Sequence, residues 1–593
     1  MRTFSLLAAG LCVLACSSAK GLSEDAAMQG KDCRNIRTGH PIPVEGYCDQ
    51  PYVVRTKDGA WLCTLTTGPG HEGQVGEHMV STISRDQGRT WSQLTAIEPG
   101  NGPESSYGVP VATPGGRVYV IYDYNGDKIE TLDGKRCRAD MLGWYVFKYS
   151  DDCGQTWSPQ RYRIPMRTTA CDLANQWGGK VQIFWGIDKP DIVGQSVYFA
   201  FTKLGKYMLE NGEGWFYHSD NLLTEPDPAK IHWELLPDGD HGLRTPEFGS
   251  VQEEHNIVPL ADGKSFYCVY RTTQGYPGHA YSNDGCHTWT KPEFMTYSPG
   301  GRQMKTNRAC PMLWRAANGK FLFWFNNHSV KSYQQRNPIW LSGGIEKDGR
   351  IHWSQPEILL YDPEVKAIMS YPDLIEQDGR YWVTETNKTV ARVHEIDKTL
   401  LEGLWAQDTA KTVAREGLLL ELGPKHVKEK ETPLPRIDLR QASGLALDLW
   451  VRFASLEAGQ VLLDSRDATG AGLALLTAEQ GAVRIQLSDG RNMASWDSDA
   501  GLLKAESWHH VAAVVDAQPK IITFIIDGFL CNGGAARQFG WGRYGGELGD
   551  VSGSGKLALA PALKGELGRL RVYGRCVRTS EMVGNYRAGR EGE

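Results

Sequence analysis

The chain has 593 residues, more than one ordinary core holds, which predicts at least two domains. Hydrophobic residues make up 41% of it and charged residues 23%, so the composition excludes a disordered chain and a multi-spanning membrane protein. The formal net charge of −6 is small for this length, and without basic clusters we expect no nucleic-acid partner.

The first residues, MRTFSLLAAGLCVLACSS, combine one arginine with an apolar run too short to span a bilayer. This pattern is typical of a secretory signal peptide. The Leu-Ala-Cys that ends at Cys16 resembles the bacterial lipobox, whose cysteine is lipidated. We therefore predict a signal peptide at 1–16, a tether at 17–30, and an exported protein held at the bacterial cell envelope (outer membrane or periplasmic face) only by lipid on Cys16. An ordinary signal peptide cut nearby is the alternative.

The chain contains 13 cysteines, and removing Cys12 and Cys16 with the signal and the lipid leaves an odd number, 11. In an oxidising compartment we expect some disulfides, with Cys531 and Cys576 as a candidate pair. The sequence contains no CxxC motif and no His/Cys spacing of the kind that is typical of a zinc site. The sequence therefore predicts no metal site and no cofactor.

One phrase is repeated along the chain, as SRDQGRTW from Ser84, SDDCGQTW from Ser150 and SNDGCHTW from Ser282. The first spacing is 66 residues and the second is 132, twice the first, which places a degraded copy at Ser219. Short runs rich in Val, Tyr, Phe and Trp surround the copies, as in strands joined by turns. A period of this length holds one four-stranded sheet, and residues 31–425 contain about six such periods. The sequence therefore predicts a six-bladed β-propeller over residues 31–425.

The phrase Ser-x-Asp-x-Gly-x-Thr-Trp resembles the Asp box of sialidases and related propellers. Ser and Asp side chains hydrogen-bond a turn backbone, and Gly permits a left-handed φ. In that family the boxes lie on the outer rim, so we interpret the phrase as a structural turn. The resemblance also implies an active site with a tyrosine nucleophile, a glutamate that takes its proton, and three arginines that hold a sugar carboxylate.

The first segment of that site departs from the family pattern. The stretch YCDQPYVVRTKDGAWLC keeps Pro51, but Asp49 stands where the resemblance implies the first arginine. A carboxyl group binds a carboxylate only when it is protonated. For the general acid, the loop TTGPGHEGQVGEHM offers His71 and Glu72, with solvated surface as the alternative interpretation.

The later segments match the family in its chain order. The stretch EEHNIVPLADGKSFYCVYR places the base on Glu254 and the second arginine at Arg271, and Arg336 fits the third arginine. The stretch MSYPDLIEQDGRYWVTE places the nucleophile on Tyr371 and a further carboxylate at Glu385. Each residue alone has a structural alternative, and their order makes the resemblance more specific.

Other polar residues lie at the ends of aromatic runs, where a propeller presents ligands. They are Glu104, Tyr107, Lys305, Arg308, Asn326, Asn327, His328, Arg392 and His394. The residues predicted to bind substrate are Arg271, Arg336, Asp49, Arg308, Glu385, Asn327 and His328.

The sequence predicts a second domain after a charged, proline-containing linker at 426–436. Residues 437–590, with ESWHHVAAVV and GELGRLRVYGR, resemble a laminin-G or concanavalin-like jelly roll. The predicted fold is therefore all-β, a six-bladed propeller followed by a β-sandwich. Such sandwiches bind glycans or act as spacers, and the sequence leaves this choice open.

The predicted function is an exported, exo-acting glycoside hydrolase of the sialidase-like superfamily whose partner is a glycan or polysaccharide. Asp49 argues against an ordinary sialidase, so the terminal sugar is another acidic sugar or a neutral one. A polysaccharide lyase acting on a uronate is one alternative, because His-rich loops and Asn326–His328 suit its acid and base. A non-catalytic glycan-binding protein is the other, motivated by the missing first arginine.

Overall fold

The computed structural model describes residues 32–364 and 368–590. The predicted signal peptide, Cys16 and the tether lie outside the described residues. No helix in the described part of the chain has the length and apolar character needed to cross a membrane.

Residues 40–396 form six antiparallel sheets of four or five strands, numbered 1 to 6 in chain order. Sheet 1 contains Tyr47–Arg55, Trp61–Gly68, His78–Ser84 and Thr95–Ala96. Sheet 2 contains Ser105–Ala112, Val118–Tyr124, Trp144–Ser150 and Tyr162–Arg163. Sheet 3 contains Phe184–Trp185, Asp191–Val193, Ser196–Lys206, Glu210–Ser219 and Glu234–Leu236.

Sheet 4 contains Gln252–Pro259, Phe266–Thr272, Gly278–Ser282 and Glu293–Phe294. Sheet 5 contains Met312–Arg315, Phe321–Phe325, Ile339–Lys347, Arg350–Trp353 and Glu357–Leu360. Sheet 6 contains Leu374–Gln377, Arg380–Thr386, Ala391–Ile396 and, from the start of the chain, His40–Ile42. A small hairpin joins Thr131–Leu132 to Lys135–Arg136.

The six sheets are arranged as a propeller. The first strand of sheet 1 contacts the first strand of sheet 2, and the first strand of sheet 4 contacts that of sheet 5. The early strand His40–Ile42 pairs with Ala391–Ile396, so the two ends of this region meet in sheet 6. Near the centre, Tyr52 Oη donates a hydrogen bond of 2.8 Å to the Ile187 carbonyl. This arrangement leaves only short strand edges exposed.

The repeated phrase forms the same turn three times. Ser84 Oγ donates to Asp86 at 2.8 Å and accepts from the Gly88 N–H at 2.8 Å, while Thr90 donates to Asp86 at 2.9 and 2.6 Å. The copies at Ser150 and Ser282 reproduce these distances within 0.1 Å. Each turn follows the third strand of its sheet, so the phrase builds the fold.

Residues 418–573 form two sheets that pack as a sandwich around one hydrophobic cluster. The seven-stranded sheet contains Leu418–Leu422, Gly565–Tyr573, Gly444–Phe453, Trp508–Asp516, Ile521–Ile526, Phe529–Leu530 and Gly542–Arg543. The six-stranded sheet contains Glu431–Pro433, Lys556–Leu559, Val461–Asp464, Gly472–Thr477, Val483–Ser488 and Met493–Asp497. These strands confirm the predicted all-β propeller and sandwich.

Short helices decorate both parts of the chain. The α-helices of the described residues are Ala170–Ala174, Lys398–Ala406 and Thr579–Ala588. The 3-10 turns are Ile36–Thr38, Pro228–Lys230, Pro246–Phe248, His426–Lys428 and Glu479–Gly481.

The predicted linker at 426–436 is wrong. Strand Glu431–Pro433 lies inside it and pairs with Lys556–Leu559, so this segment is an edge of the sandwich. The preceding strand Leu418–Leu422, predicted as propeller, also pairs into the sandwich. Charge and proline suit an edge strand as well as a linker, because both discourage further strand pairing.

The predicted Cys531–Cys576 disulfide is also wrong, since all 11 cysteines of the described residues are free thiols. Cys531 Sγ accepts a hydrogen bond of 3.3 Å from the Asp499 N–H. Cys576 instead lies beside Asp516, whose charge adds to burial in raising the pKa of its thiol. The two thiols thus contact different parts of the sandwich.

The sandwich packs directly on the propeller. Leu530 and Trp541 share one hydrophobic cluster with Phe325 and Trp340 of sheet 5. Ion pairs join the two parts as well, Arg34 with Asp516 at 2.6 Å and Arg578 with Asp397 at 2.5 Å. The two domains therefore form an extended apolar and charged interface.

Candidate active site

Tyr371, Glu254 and Arg271 meet at one end of the propeller's first strands. Tyr371 Oη donates a hydrogen bond of 2.8 Å to Glu254 Oε1. Arg271 Nη1 lies 2.7 Å from the same oxygen. All three residues are buried. The structure thus brings together a tyrosine, a carboxylate and an arginine that the sequence placed in one site.

Strained backbone marks this end of the strands. Gln50, Tyr107, Glu254 and Tyr371 have φ values of 48°, 58°, 57° and 46°. A left-handed conformation costs a residue with a side chain about 1–2 kcal/mol. The first three lie at register shifts in the first strands of sheets 1, 2 and 4. Such shifts re-aim side chains, and strain of this kind clusters at functional sites.

The arginines of the site differ in how far their charge is neutralised. Arg271 also pairs with Glu253 at 3.1 Å, and Arg308 lies 2.7 Å from the same carboxylate. Arg336 donates to Ser370 Oγ and to backbone carbonyls. Among the described residues it has no carboxylate at ion-pair distance. The Arg336 charge is therefore available to an incoming anion.

Asp49 is fully buried and forms an ion pair with Lys388. It accepts hydrogen bonds from Tyr47 Oη at 2.8 Å and from Lys388 Nζ at 2.6 Å. Lys388 comes from the turn before Ala391–Ile396, and its ammonium lies 4.3 Å from the ring centroid of Tyr371. A cation therefore stands beside the position where the sequence lacks the first arginine.

Glu72 joins the site, whereas His71 does not. Glu72 Oε1 lies 3.1 Å from Arg138 and 3.5 Å from Lys388. Among the described residues the exposed His71 bonds only Gln74, through its backbone N–H at 3.4 Å and its carbonyl at 3.1 Å. Of the two predicted general acids, Glu72 is therefore the one that lies beside these cations.

A second tyrosine repeats the pattern of the first on sheet 2. Tyr107 Oη donates to Asp140 at 2.6 Å, and Arg138 lies 2.5 Å from that carboxylate. Arg138 also donates to Tyr107 Oη at 2.9 Å. The site therefore holds three sets of a tyrosine, a carboxylate and a cation: Tyr371–Glu254–Arg271, Tyr107–Asp140–Arg138 and Tyr47–Asp49–Lys388.

Burial and these ion pairs shift the pKa values of the site. Burial raises the pKa of Glu254, and the opposing charge of Arg271 does not cancel the effect. Burial and the charge of Glu254 hold the pKa of Tyr371 well above its usual range. Burial also raises the pKa of Glu72, but Lys388 and Arg138 outweigh it and lower that pKa to about 2. Glu72 is thus ionised and Tyr371 neutral in the ligand-free site at neutral pH.

Three predicted substrate ligands lie elsewhere. Glu385 pairs with Arg392 at 2.9 Å and with His394 at 3.3 Å, within sheet 6. Trp541 of the sandwich donates to the Asn327 carbonyl at 3.0 Å, and the His328 ring stacks on Phe539 at 4.7 Å. The aromatic run that precedes these two residues ends against the sandwich. Asn327 and His328 are therefore interface residues, which corrects the prediction.

Sequence reasoning missed several residues of the site. Arg138 and Asp140 lie in the stretch KRCRADML, which has the composition of a solvated loop. Lys388 lies in TNKTV, which is typical of a hairpin turn. Tyr107 lies among the polar strand-end residues, and the sequence assigns it no role. Tyr107, the Arg138–Asp140 pair and Lys388 lie far from one another along the chain, so no local sequence pattern connects them.

The sandwich matches a known family model, and the whole chain matches solved structures at low identity. Residues 429–583 match the concanavalin A-like lectin/glucanases superfamily. No curated protein matches. The structure is similar to Trypanosoma rangeli sialidase, with 13% identity over 93% of this chain and 97% of that one and a TM-score of 0.42. It is also similar to the intramolecular trans-sialidase from Ruminococcus gnavus, with 13% identity over 63% and 99% of the chains and a TM-score of 0.43.

The same trypanosomal enzyme with 2,3-difluorosialic acid, titled a covalent intermediate, gives 12% identity over 93% and 96% of the chains and a TM-score of 0.44. The strand topology defines the propeller and the sandwich. In its overall organisation this chain is similar to sialidases, and its sandwich is similar to the concanavalin A-like superfamily.

Proposed function

We propose that this protein is an exo-acting glycoside hydrolase that removes a terminal acidic sugar from a glycan, with Tyr371 as the nucleophile. The hydrogen bond of 2.8 Å from Tyr371 to Glu254 carries this proposal. A phenol is a weak nucleophile unless an adjacent base takes its proton, and Glu254 is positioned to take it.

The first chemical step forms a glycosyl–tyrosine bond. Tyr371 Oη attacks the anomeric carbon, its proton passes to Glu254, and the bond from that carbon to the leaving oxygen breaks. Arg271 remains beside Glu254 and stabilises its charge before the proton arrives. Water then displaces Tyr371 from the sugar and gives up one proton, which the ionised Glu72 takes. The proton on Glu254 returns to the tyrosine oxygen, and the anomeric configuration is retained.

The leaving oxygen needs a proton, and we assign its delivery to Glu72. In the free protein Lys388 and Arg138 keep this carboxyl ionised. A sugar carboxylate bound beside these cations raises the pKa of Glu72, because a nearby like charge disfavours ionisation. Glu72 then takes a proton from solvent and gives it to the leaving oxygen. Its side chain is 31% exposed, which leaves it open to solvent.

The choice of an acidic sugar follows from the charges at the site. Arg336 is a buried cation without a carboxylate at ion-pair distance among the described residues. A planar guanidinium binds a carboxylate through two parallel hydrogen bonds. Lys388 adds a second positive charge above the Tyr371 ring. Lys388 lies over the Tyr371 ring, and Arg336 donates to Ser370, the residue before Tyr371.

The geometry supports the two alternatives less well. A lyase would draw its acid and base from His71 and Asn326–His328, but His71 is solvent-exposed and His328 stacks on the sandwich. A purely binding protein does not need the buried Tyr371–Glu254 pair, whose burial is costly.

Digestion of a glycan panel with mass analysis of the products tests the proposal. We expect the wild type to release one terminal acidic sugar, and Tyr371→Phe to lose turnover while still binding the glycan. Tyr107→Phe is the matched control, because it removes a second buried hydroxyl of the site and should keep turnover. Unsaturated uronate products would support the lyase instead. Full turnover by Tyr371→Phe would overturn the mechanism.

We also propose that the protein is exported and held by lipid at Cys16. The short apolar N-terminal run and the Leu-Ala-Cys motif support this. Metabolic labelling with a fatty acid should mark the wild type and not Cys16→Ser. Equal labelling of both would contradict the anchor.

A further inference from the structure

We infer that Glu234, Asp238 and His287 form a binding site for Zn²⁺ between sheets 3 and 4. Glu234 lies on the last strand of sheet 3, Asp238 follows that strand, and His287 lies in the third copy of the repeated turn. One ligand atom from each residue lies within 4.8 Å of the other two. Imidazole nitrogen and carboxylate oxygen are ligands that Zn²⁺ accepts in tetrahedral sites.

The charges of the cluster favour a cation. The ion-pair partners of Glu234 and Asp238 in the described residues are histidines, His218 at 3.0 Å and His287 at 3.1 Å. No lysine or arginine of the described residues lies within ion-pair distance of either carboxylate. Among the described residues these two carboxylates therefore lack a lysine or arginine partner, and a divalent cation supplies the counter-charge.

The surroundings hold one ligand in place. His218 Nδ1 contacts Glu234 Oε2 at 3.0 Å, and the His218 ring stacks on Tyr198 with centroids 4.5 Å apart. Metal-binding carboxylates are commonly oriented by such second contacts. Asp238 and His287 are more exposed, with side chains 75% and 41% accessible, so they can adjust to the shorter distances of a bound metal.

The third copy of the repeated turn carries a histidine that the other two copies lack. His287 takes the position that Arg89 and Gln155 hold in the other two copies. The turn geometry is unchanged, so the histidine is not needed to build it. The neighbouring Cys286 is fully buried, which removes its thiol from the ligand set. A metal here would join two neighbouring sheets of the propeller.

Binding of metal to the full chain, freed of metal by a chelator and of any affinity tag, tests this site. We expect one equivalent of Zn²⁺ by calorimetry, and a Co²⁺ spectrum without a thiolate charge-transfer band. His287→Ala and Asp238→Asn should abolish this binding, and His218→Gln should weaken it by about 10- to 100-fold.

The matched control is His232→Ala, because His232 forms an exposed pair with Asp220 at 3.2 Å and belongs to no three-ligand group of the described residues. It should bind metal as the wild type does. Binding of equal strength in wild type and His287→Ala, a thiolate band, or no saturable binding by the wild type would each overturn the site. Zn²⁺ should raise the melting temperature only of those variants that still bind it.

Discussion

Two tyrosines of the site have the same kinds of partner and different surroundings. Tyr371 and Tyr107 each donate to a carboxylate that an arginine also holds. Tyr107 Oη accepts a further hydrogen bond from Arg138 at 2.9 Å, whereas no described residue donates to Tyr371 Oη. The lone pairs of Tyr371 are therefore open to a substrate, and those of Tyr107 are engaged.

The cations differ as well. The Arg271 side chain is 6% exposed and lies between two carboxylates, while the Arg138 side chain is 24% exposed and reaches Glu72 at the rim. Both carboxylates are fully buried. Burial raises the pKa of Glu254, which can then take a proton, whereas Arg138 engages both Tyr107 and Asp140 and suits that set to positioning a ligand. One arrangement of residue types thus supports chemistry in one place and recognition in the other.

The largest expected effect is that of Tyr371→Phe on kcat. The change removes the attacking oxygen and leaves the ring under Lys388, so binding should persist while turnover falls more than in any other single variant discussed. Steady-state kinetics on the released sugar measures this. Tyr107→Phe is the control, and equal loss of kcat in both variants would erase the distinction between the two tyrosines.

Glu254→Gln comes next and should lower kcat by about 10²- to 10⁴-fold, the usual contribution of a general base. Because burial raises the pKa of Glu254, kcat/KM of the wild type should fall with decreasing pH above the ordinary glutamate value of about 4.3. The pH profile of kcat/KM checks this direction. An acidic limb at or below that ordinary value would contradict the raised pKa.

Arg336→Met should lower kcat/KM for an acidic sugar by about 10- to 100-fold, because a hydrogen bond to a charged group is worth about 1.5–3 kcal/mol. The matched substrate, with the carboxylate reduced to an alcohol, should show a much smaller loss. Comparison of the two substrates isolates the charge. An equal loss on both would mean that Arg336 has only a structural role.

Tyr107→Phe should change KM by about tenfold or less and leave kcat nearly unchanged. The buried hydroxyl donates to Asp140 and accepts from Arg138, so its loss acts on the ligand only through these two side chains. Separate measurement of KM and kcat shows the effect. A fall in kcat with constant KM would place Tyr107 among the reacting groups.

The smallest effect concerns stability and not catalysis. Burial lowers the pKa of His328 to about 4, so the unfolded chain binds a proton that the folded one does not between about pH 6.5 and that value. The free energy of unfolding should therefore fall as pH drops through this window. In His328→Gln this pH dependence should be weaker, as denaturant titrations at several pH values would show. An unchanged slope would remove His328 as its source.

The sequence predicted the residues around Tyr371 better than the cation that lies over its ring. Glu254, Arg271, Arg336 and Tyr371 lie in segments with a recognisable order, and three of them meet at hydrogen-bonding or ion-pair distance. Lys388 lies in a hairpin turn, where a lysine is commonplace, so nothing local distinguishes it. Partners that come together only through the closure of sheets 1 and 6 leave no periodic pattern.

In the fold, too, local features were predicted well and features that depend on distant contacts were not. The 66-residue spacing located turns whose geometry proved nearly identical, because that geometry depends on four neighbouring residues. The domain boundary failed because charge and proline are common to linkers and edge strands. His328 was misplaced because an aromatic strand end is suited equally to a ligand and to a second domain.

Trapping of the glycosyl–enzyme tests the central claim most directly. A substrate with fluorine beside the anomeric carbon and a good leaving group slows hydrolysis of the intermediate more than its formation. Peptide mass analysis should then find one sugar on the peptide that contains Tyr371, and none on Tyr371→Phe. A sugar attached to another residue, or turnover of the wild type with inverted configuration, would contradict the account.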